Sequence, residues 1–150
     1  MKLFIGLGNP GTKFKNNRHN VGHMASDASN RIKILKSNVY MNDSGRFVLS
    51  EVNKTKVSLS DLYIIHDDLD IRLGSYKIQF GKGPKVHNGL NDIYEKLKSK
   101  DFWHVRVGVD NRDSENRTKG EDYVLEDFKS EEKIILDKVI KEICKKLAAL

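Results

Sequence analysis

Apolar and polar positions along the chain switch repeatedly between a period of two and a period near 3.6. Leu3-Phe-Ile5 is a short apolar run of the kind that forms a buried strand, and it ends in Gly6-Leu-Gly-Asn-Pro-Gly11. The next residues, 12–18, carry no amphipathic face. Val21, Met24 and Ala28 then share one side of a short predicted helix over 20–28, and residues 31–36 alternate as a half-buried strand. A second helix is predicted over 44–53 with Phe47, Val48 and Val52 as its stripe. Leu62-Tyr-Ile-Ile65 reads as a central strand that stops at His66-Asp-Asp-Leu-Asp70.

Residues 75–80 alternate again, 81–85 form a basic flexible loop, and His87-Asn88 opens a helix carrying Leu90, Ile93, Tyr94 and Leu97. Residues 102–109 alternate with Trp103, Val105, Val107 and Val109 on one face. Residues 110–120 contain no apolar side chain and are expected to form a mobile loop, a candidate lid. The last helix, capped by Ser130, presents Ile135, Leu136, Val139, Ile140, Ile143 and Leu147 to the body. Strands alternating with helices predict one α/β domain over 1–150, a mixed sheet flanked by helices on both faces. In such folds chemistry gathers beyond strand ends, where Asn9, His19, Asn42, Asp67 and Asn88 all fall.

Composition narrows this modestly. A chain of 150 residues with 38% hydrophobic and 32% charged residues has the make-up of a soluble domain with its own core. No apolar run reaches membrane-spanning length and no signal-peptide segment precedes the first strand, so a cytoplasmic protein without membrane contact is expected. The single cysteine, Cys144, sits among helical apolar positions as a packed thiol. A formal charge of +6 suits an anionic partner, but lysine-rich exposed faces give the same number without one.

Gly6-x-Gly8-x-x-Gly11 after a strand has the form of a dinucleotide fingerprint. That fingerprint requires a helix to open at once, and the pattern over 12–18 offers none. Five histidines with scattered acids show no metal-binding spacing. A different reading comes from the ordered set Gly6-Leu-Gly-Asn-Pro-Gly11, Arg18-His-Asn20, Tyr40-Met-Asn-x-Ser-Gly45, His66-Asp-Asp-Leu-Asp70 and His87-Asn-Gly-Leu90. With Arg106-Val-Gly108 and Tyr123-Val-Leu-x-x-Phe128, this set resembles the bacterial peptidyl-tRNA hydrolases over nearly the whole chain.

The resemblance implies hydrolysis of the ester joining a peptide to the terminal ribose of tRNA, by a monomer using neither metal nor cofactor. It implies His19 as the base, Asp67 as its partner and Asn9 as a third catalytic side chain. Asn42, Asn88, Phe14, Tyr40 and Met41 match positions that line the substrate channel, and Lys77 and Arg106 a basic pair that grips a phosphate. Lys82 and Lys85 extend that basic patch, with Arg112, Arg117 and Lys119 further candidates. Each has a plainer alternative: a surface loop for His19, helix caps for Asn42 and Asn88, core packing for Phe14, Tyr40 and Met41, solubility for the lysines. His66 and His87 are expected to be structural or to support the catalytic side chains, not to be catalytic themselves.

The chain also departs from the family. The connection between Asp27 and Lys36 is far shorter than usual, leaving the strand over 31–36 at an edge without a hairpin partner. Gly81-Lys-Gly-Pro-Lys-Val86 stands where the family has a glycine-rich run, and Phe14 replaces a tyrosine. Two alternatives therefore stay open: a non-catalytic RNA- or protein-binding member of the same fold, comparable to the hydrolase-like proteins of chloroplast RNA splicing, and a nucleotide-binding domain.

Overall fold

Five strands make one mixed sheet. In the computed structural model, which describes residues 1–150, these are β1 (Leu3–Gly6), β2 (Ile34–Lys36), β3 (Leu62–Arg72), β4 (Tyr76–Phe80) and β5 (Trp103–Asp110). Their order is β2-β1-β3-β5-β4, with β4 antiparallel to β5 and the other pairs parallel. Helices α1 (Val21–Ala28), α2 (Ser44–Thr55), α3 (Asn88–Leu97), α4 (Gly120–Tyr123) and α5 (Ser130–Ala148) complete the chain. No helix is long and apolar enough to cross a membrane.

The period of two in the strands sorts side chains into two cores. Phe4, Tyr63, Ile65, Val105 and Val107 pack with Val21, Met24 and Ala25 of α1 and with Leu136, Ile140 and Ile143 of α5. Leu3, Ile5, Leu62 and Ile64 pack on the other face with Val48 of α2 and Leu90 and Ile93 of α3. The sheet is thus covered on both faces, as strands apolar on both sides require.

The glycines after β1 are explained by α1. A Cβ on Gly6 would lie 2.1 Å from the Gly22 carbonyl oxygen, and one on Gly22 would lie 2.3 Å from the Leu7 nitrogen. Gly8 is pressed against the His23 ring in the same way. The motif therefore lets a helix lie directly on the first strand, and Gly11, at φ 97°, supplies the turn beyond it.

Several elements differ from their sequence expectation. β3 does not stop at Ile65: residues 66–68 continue the ladder opposite Arg106, Val107 and Gly108, because their polar side chains find partners within the fold. β2 starts at Ile34 rather than at residue 31, since Ser29 Oγ holds the Ile32 carbonyl and the Ser26 hydroxyl that of Ile34. Ser130 is the first helical residue of α5 and not its cap; the cap position is Lys129, whose N–H donates to Glu132 Oε1 at 2.8 Å. Ile135 is exposed on α5, while the other five residues of its predicted stripe are buried. Residues 111–119 lack regular structure, yet Arg112 ties them down through Asp110 Oδ1 (2.8 Å) and the Thr118 carbonyl (2.9 Å).

Candidate active site

Three elements bring His19, Asp67 and His87 together. His19 sits in a 3-10 turn, Arg18–Asn20, whose backbone is fixed from outside: His19 N–H donates to the Val124 carbonyl at 2.8 Å and Arg18 N–H to that of Glu126 at 3.1 Å. Asp67 lies inside β3, and His87 is the N-cap of α3. His19 Nδ1 is 2.8 and 2.9 Å from the two Asp67 oxygens, and His87 Nε2 is 2.8 Å from Oδ1.

The proton positions follow from these contacts. His87 Nδ1 accepts the Leu90 N–H at 3.1 Å, so the ring proton must be on Nε2, which donates it to Asp67. Asp67, buried and holding two N–H bonds, orients His19 as the Nδ1–H tautomer and leaves Nε2 with a free lone pair. Burial opposes charge on His19, but attraction and hydrogen bonding to Asp67 outweigh it and raise its pKa. Burial likewise opposes the Asp67 charge, yet His19 and His87 together hold the carboxyl far below its usual range. The three groups offer ligand-type atoms within 4.8 Å of one another. The nitrogens facing Asp67 carry protons, so a divalent ion at this point would have to displace both N–H bonds.

Asn9 is buried beside them. Its Oδ1 accepts the Met41 N–H at 2.7 Å, which fixes the amide flip and leaves the NH2 group toward the cleft. Asn20 clamps the Asn9 backbone from both sides, accepting its N–H and donating to its carbonyl, each at 2.9 Å. The cleft has a volume of about 840 Å³, and Asn9, Phe14, His19, Tyr40, Met41, Asn42, Asp67 and Asn88 all line it. Asn42 and Asn88 are exposed at its rim, and neither caps a helix: α2 has no side-chain cap and α3 is capped by His87. Phe14 meets Tyr40 edge to face at 6.4 Å, Tyr40 is exposed, and Met41 is buried with its backbone in the site.

The basic candidates separate into two kinds. Lys77 and Arg106 stand directly opposite across β4 and β5, but Lys77 is exposed whereas Arg106 is buried. Arg106 Nε donates to Asp68 Oδ2 at 2.7 Å and Nη1 to Gln79 Oε1 at 2.6 Å, so its fork is largely spent inside the fold. Lys82 and Lys85 are exposed in the adjoining loop, outside the cleft.

His87, expected to be structural or to support the catalytic side chains, takes the supporting place: it donates to the central carboxylate and caps α3 through Nδ1. Sequence reasoning missed other parts of the cleft. Leu69, Val86, Val124, Leu125, Glu121 and Asp122 complete the cleft walls, and no spacing marks them.

The fold and the cleft define an α/β protein with a carboxylate-oriented imidazole, the arrangement of a general-base hydrolase. A family model described as peptidyl-tRNA hydrolase matches residues 3–31 and 28–150. The chain belongs to this family. The two matched pieces meet at the short connection after Asp27. The chain is 34% identical to the peptidyl-tRNA hydrolase of Sulfurihydrogenibium sp., covering 93% of this chain and 85% of the relative. It is 36% identical to that of Mycoplasmopsis synoviae, covering 95% and 85%. Among solved structures, the peptidyl-tRNA hydrolase of Acinetobacter baumannii is similar at a TM-score of 0.84 and 26% identity, over 97% of this chain and 86% of that one. A complex of peptidyl-tRNA hydrolase with N-propanol gives 0.85 and 25%, over 99% and 87%.

Proposed function

We propose that this chain hydrolyses peptidyl-tRNA, releasing the peptide as a carboxylate and the tRNA with its terminal ribose hydroxyl free. The observation that carries the reading is the His19–Asp67–His87 geometry, which leaves one imidazole lone pair available in an open cleft. His19 Nε2 removes a proton from water as the oxygen attacks the ester carbonyl. The developing oxyanion is met by neutral amide donors, Asn9 NH2 first, with Asn42 and Asn88 at the rim. Asp67 stabilises the imidazolium while it exists, and the proton passes to the departing ribose oxygen. His87, neutral, keeps Asp67 aimed.

Phe14, Tyr40, Leu69 and Leu125 give the cleft an apolar wall for the peptide, and the exposed Lys77, Lys82 and Lys85 are assigned to the phosphate backbone on their charge and exposure. The test is turnover of a short N-blocked peptidyl-tRNA by the purified protein and by His19→Ala. Turnover by the first and its loss in the second supports the reading. Inactivity of the wild type at high enzyme concentration with retained tRNA binding would instead favour the non-catalytic binding protein.

A further inference from the structure

The residue before the base is a buried arginine that the proposed chemistry does not use. Arg18 is 2% exposed. Its Nη2 donates to Glu132 Oε1 at 2.9 Å and its Nη1 to the Tyr123 carbonyl at 3.1 Å, while its guanidinium carbon lies 3.8 Å from the centroid of the Tyr123 ring. Glu132 is also 2% exposed, and besides Arg18 it accepts the Lys129 N–H and, at 3.0 Å, the Asn111 side-chain amide. Tyr123 is buried, its hydroxyl accepts the Asn111 N–H at 3.1 Å, and the Arg112 guanidinium lies 5.0 Å from its ring centroid.

These contacts join three parts that function must keep in register. One is the catalytic turn. The second is the wall of the cleft from Lys119 to Leu125, and the third is the start of α5, where Glu132 is anchored. Burying a guanidinium and a carboxylate is costly, and isolated pairs of this kind are weak sources of stability. Arg18 Nε has no partner at all, a further cost of keeping a guanidinium here. A well-packed apolar pair would fill the space more cheaply, so what the charged pair adds is direction: a planar fork stacked on a ring fixes orientation in a way that apolar packing does not.

We infer that Arg18 and Glu132 are positioning residues for the reaction: a buried ion-paired latch, stacked on Tyr123, that sets the orientation of His19 toward Asp67 and holds the far cleft wall against it. This rests on His19 being the base. The latch acts through geometry, and displacements near 1 Å at a reacting group cost about 100-fold in rate.

The experiment compares Arg18→Met, Arg18→Lys, Glu132→Met and Glu132→Gln, measured well below their melting temperatures with peptidyl-tRNA. Arg18→Met, Arg18→Lys and Glu132→Met are expected to lower kcat by about 10- to 100-fold, with a smaller change in KM. Glu132→Gln keeps one acceptor for the fork but removes the charge and turns an NH2 group toward the Asn111 amide, so it is expected to fall between Glu132→Met and wild type. In parallel, the His19 Nδ1–H proton resonance, a direct signature of the bond to Asp67, is expected to shift or broaden in Arg18→Met and to move less in Glu132→Gln. Lower melting temperatures with unchanged kcat and an unchanged resonance would overturn the latch and leave the pair a matter of folding alone. The resonance does not depend on turnover, so a wild type that fails to hydrolyse substrate would count against the proposed function and leave the latch decided by the spectrum.

Discussion

At the scale of single residues, the site consists of side chains whose donors and acceptors are accounted for except where substrate would come. His19→Ala is expected to reduce kcat/KM by about 10²- to 10⁴-fold, the usual contribution of a general base, with melting temperature nearly unchanged. Because Asp67 raises the His19 pKa above its ordinary 6.5, the active neutral form is lost on acidification at a higher pH than for a free imidazole. The acid limb of kcat/KM should therefore lie above pH 6.5. In Asp67→Asn the raising causes vanish and burial remains, so the limb should move below 6.5 as the rate falls; a limb that stays put would remove Asp67 from its role. The residue types of this site were legible in the sequence because Asn9, His19, Asp67 and Asn88 stand in recognisable local strings. His87 was legible only as a supporting residue, because which group it supports depends on a capping bond and a carboxylate twenty residues away, neither of which leaves a periodic mark.

At the scale of elements, most strands and helices could be read from periodicity. β3 was cut short in the reading because His66, Asp67 and Asp68 look like the end of a strand, whereas paired polar groups let the ladder run through them. The glycine motif lacks the helix a nucleotide fingerprint needs, and its use is contact between β1 and α1, which sequence spacing cannot show. Gly22→Ala and Gly6→Ala each place a methyl group against backbone atoms that cannot step aside, and each should destabilise by about 3 kcal/mol or more, measured as a loss in denaturant midpoint. The β4–β5 pair permits a second separation. Lys77→Ala should reduce the slope of log binding against log salt by about one with stability intact. Arg106→Ala should strand the buried Asp68 carboxylate and cost about 3 kcal/mol or more in stability, whatever it does to RNA binding.

At the scale of the whole molecule, α/β order, helices on both sheet faces and the edge position of β2 all followed from the alternation of elements and the short connection after Asp27. Charge was less informative, since a net +6 does not reveal that Arg18 and Arg106 are consumed internally. Three further imidazoles make the fold sensitive to acid. Burial lowers His23, pushes His66 well below its ordinary range and His104 down to about 4, with Arg106 adding to the effect on His104. The unfolded chain binds these protons first, so stability should fall as pH drops from 6.5 toward 4. For His104 alone this amounts to about 3 kcal/mol. His19 works in the opposite sense, its contribution being present below pH 6.5 and lost as pH rises through its elevated value. Urea midpoints across that range, in wild type and in His104→Gln, measure the difference, and a flat profile in the wild type would contradict it. The anchoring of His19 by the Val124 carbonyl also has a consequence in time. The bond closes a loop of about a hundred residues, so in refolding from urea the base is set only once distant parts of the chain have met, and activity should return no earlier than the global fold.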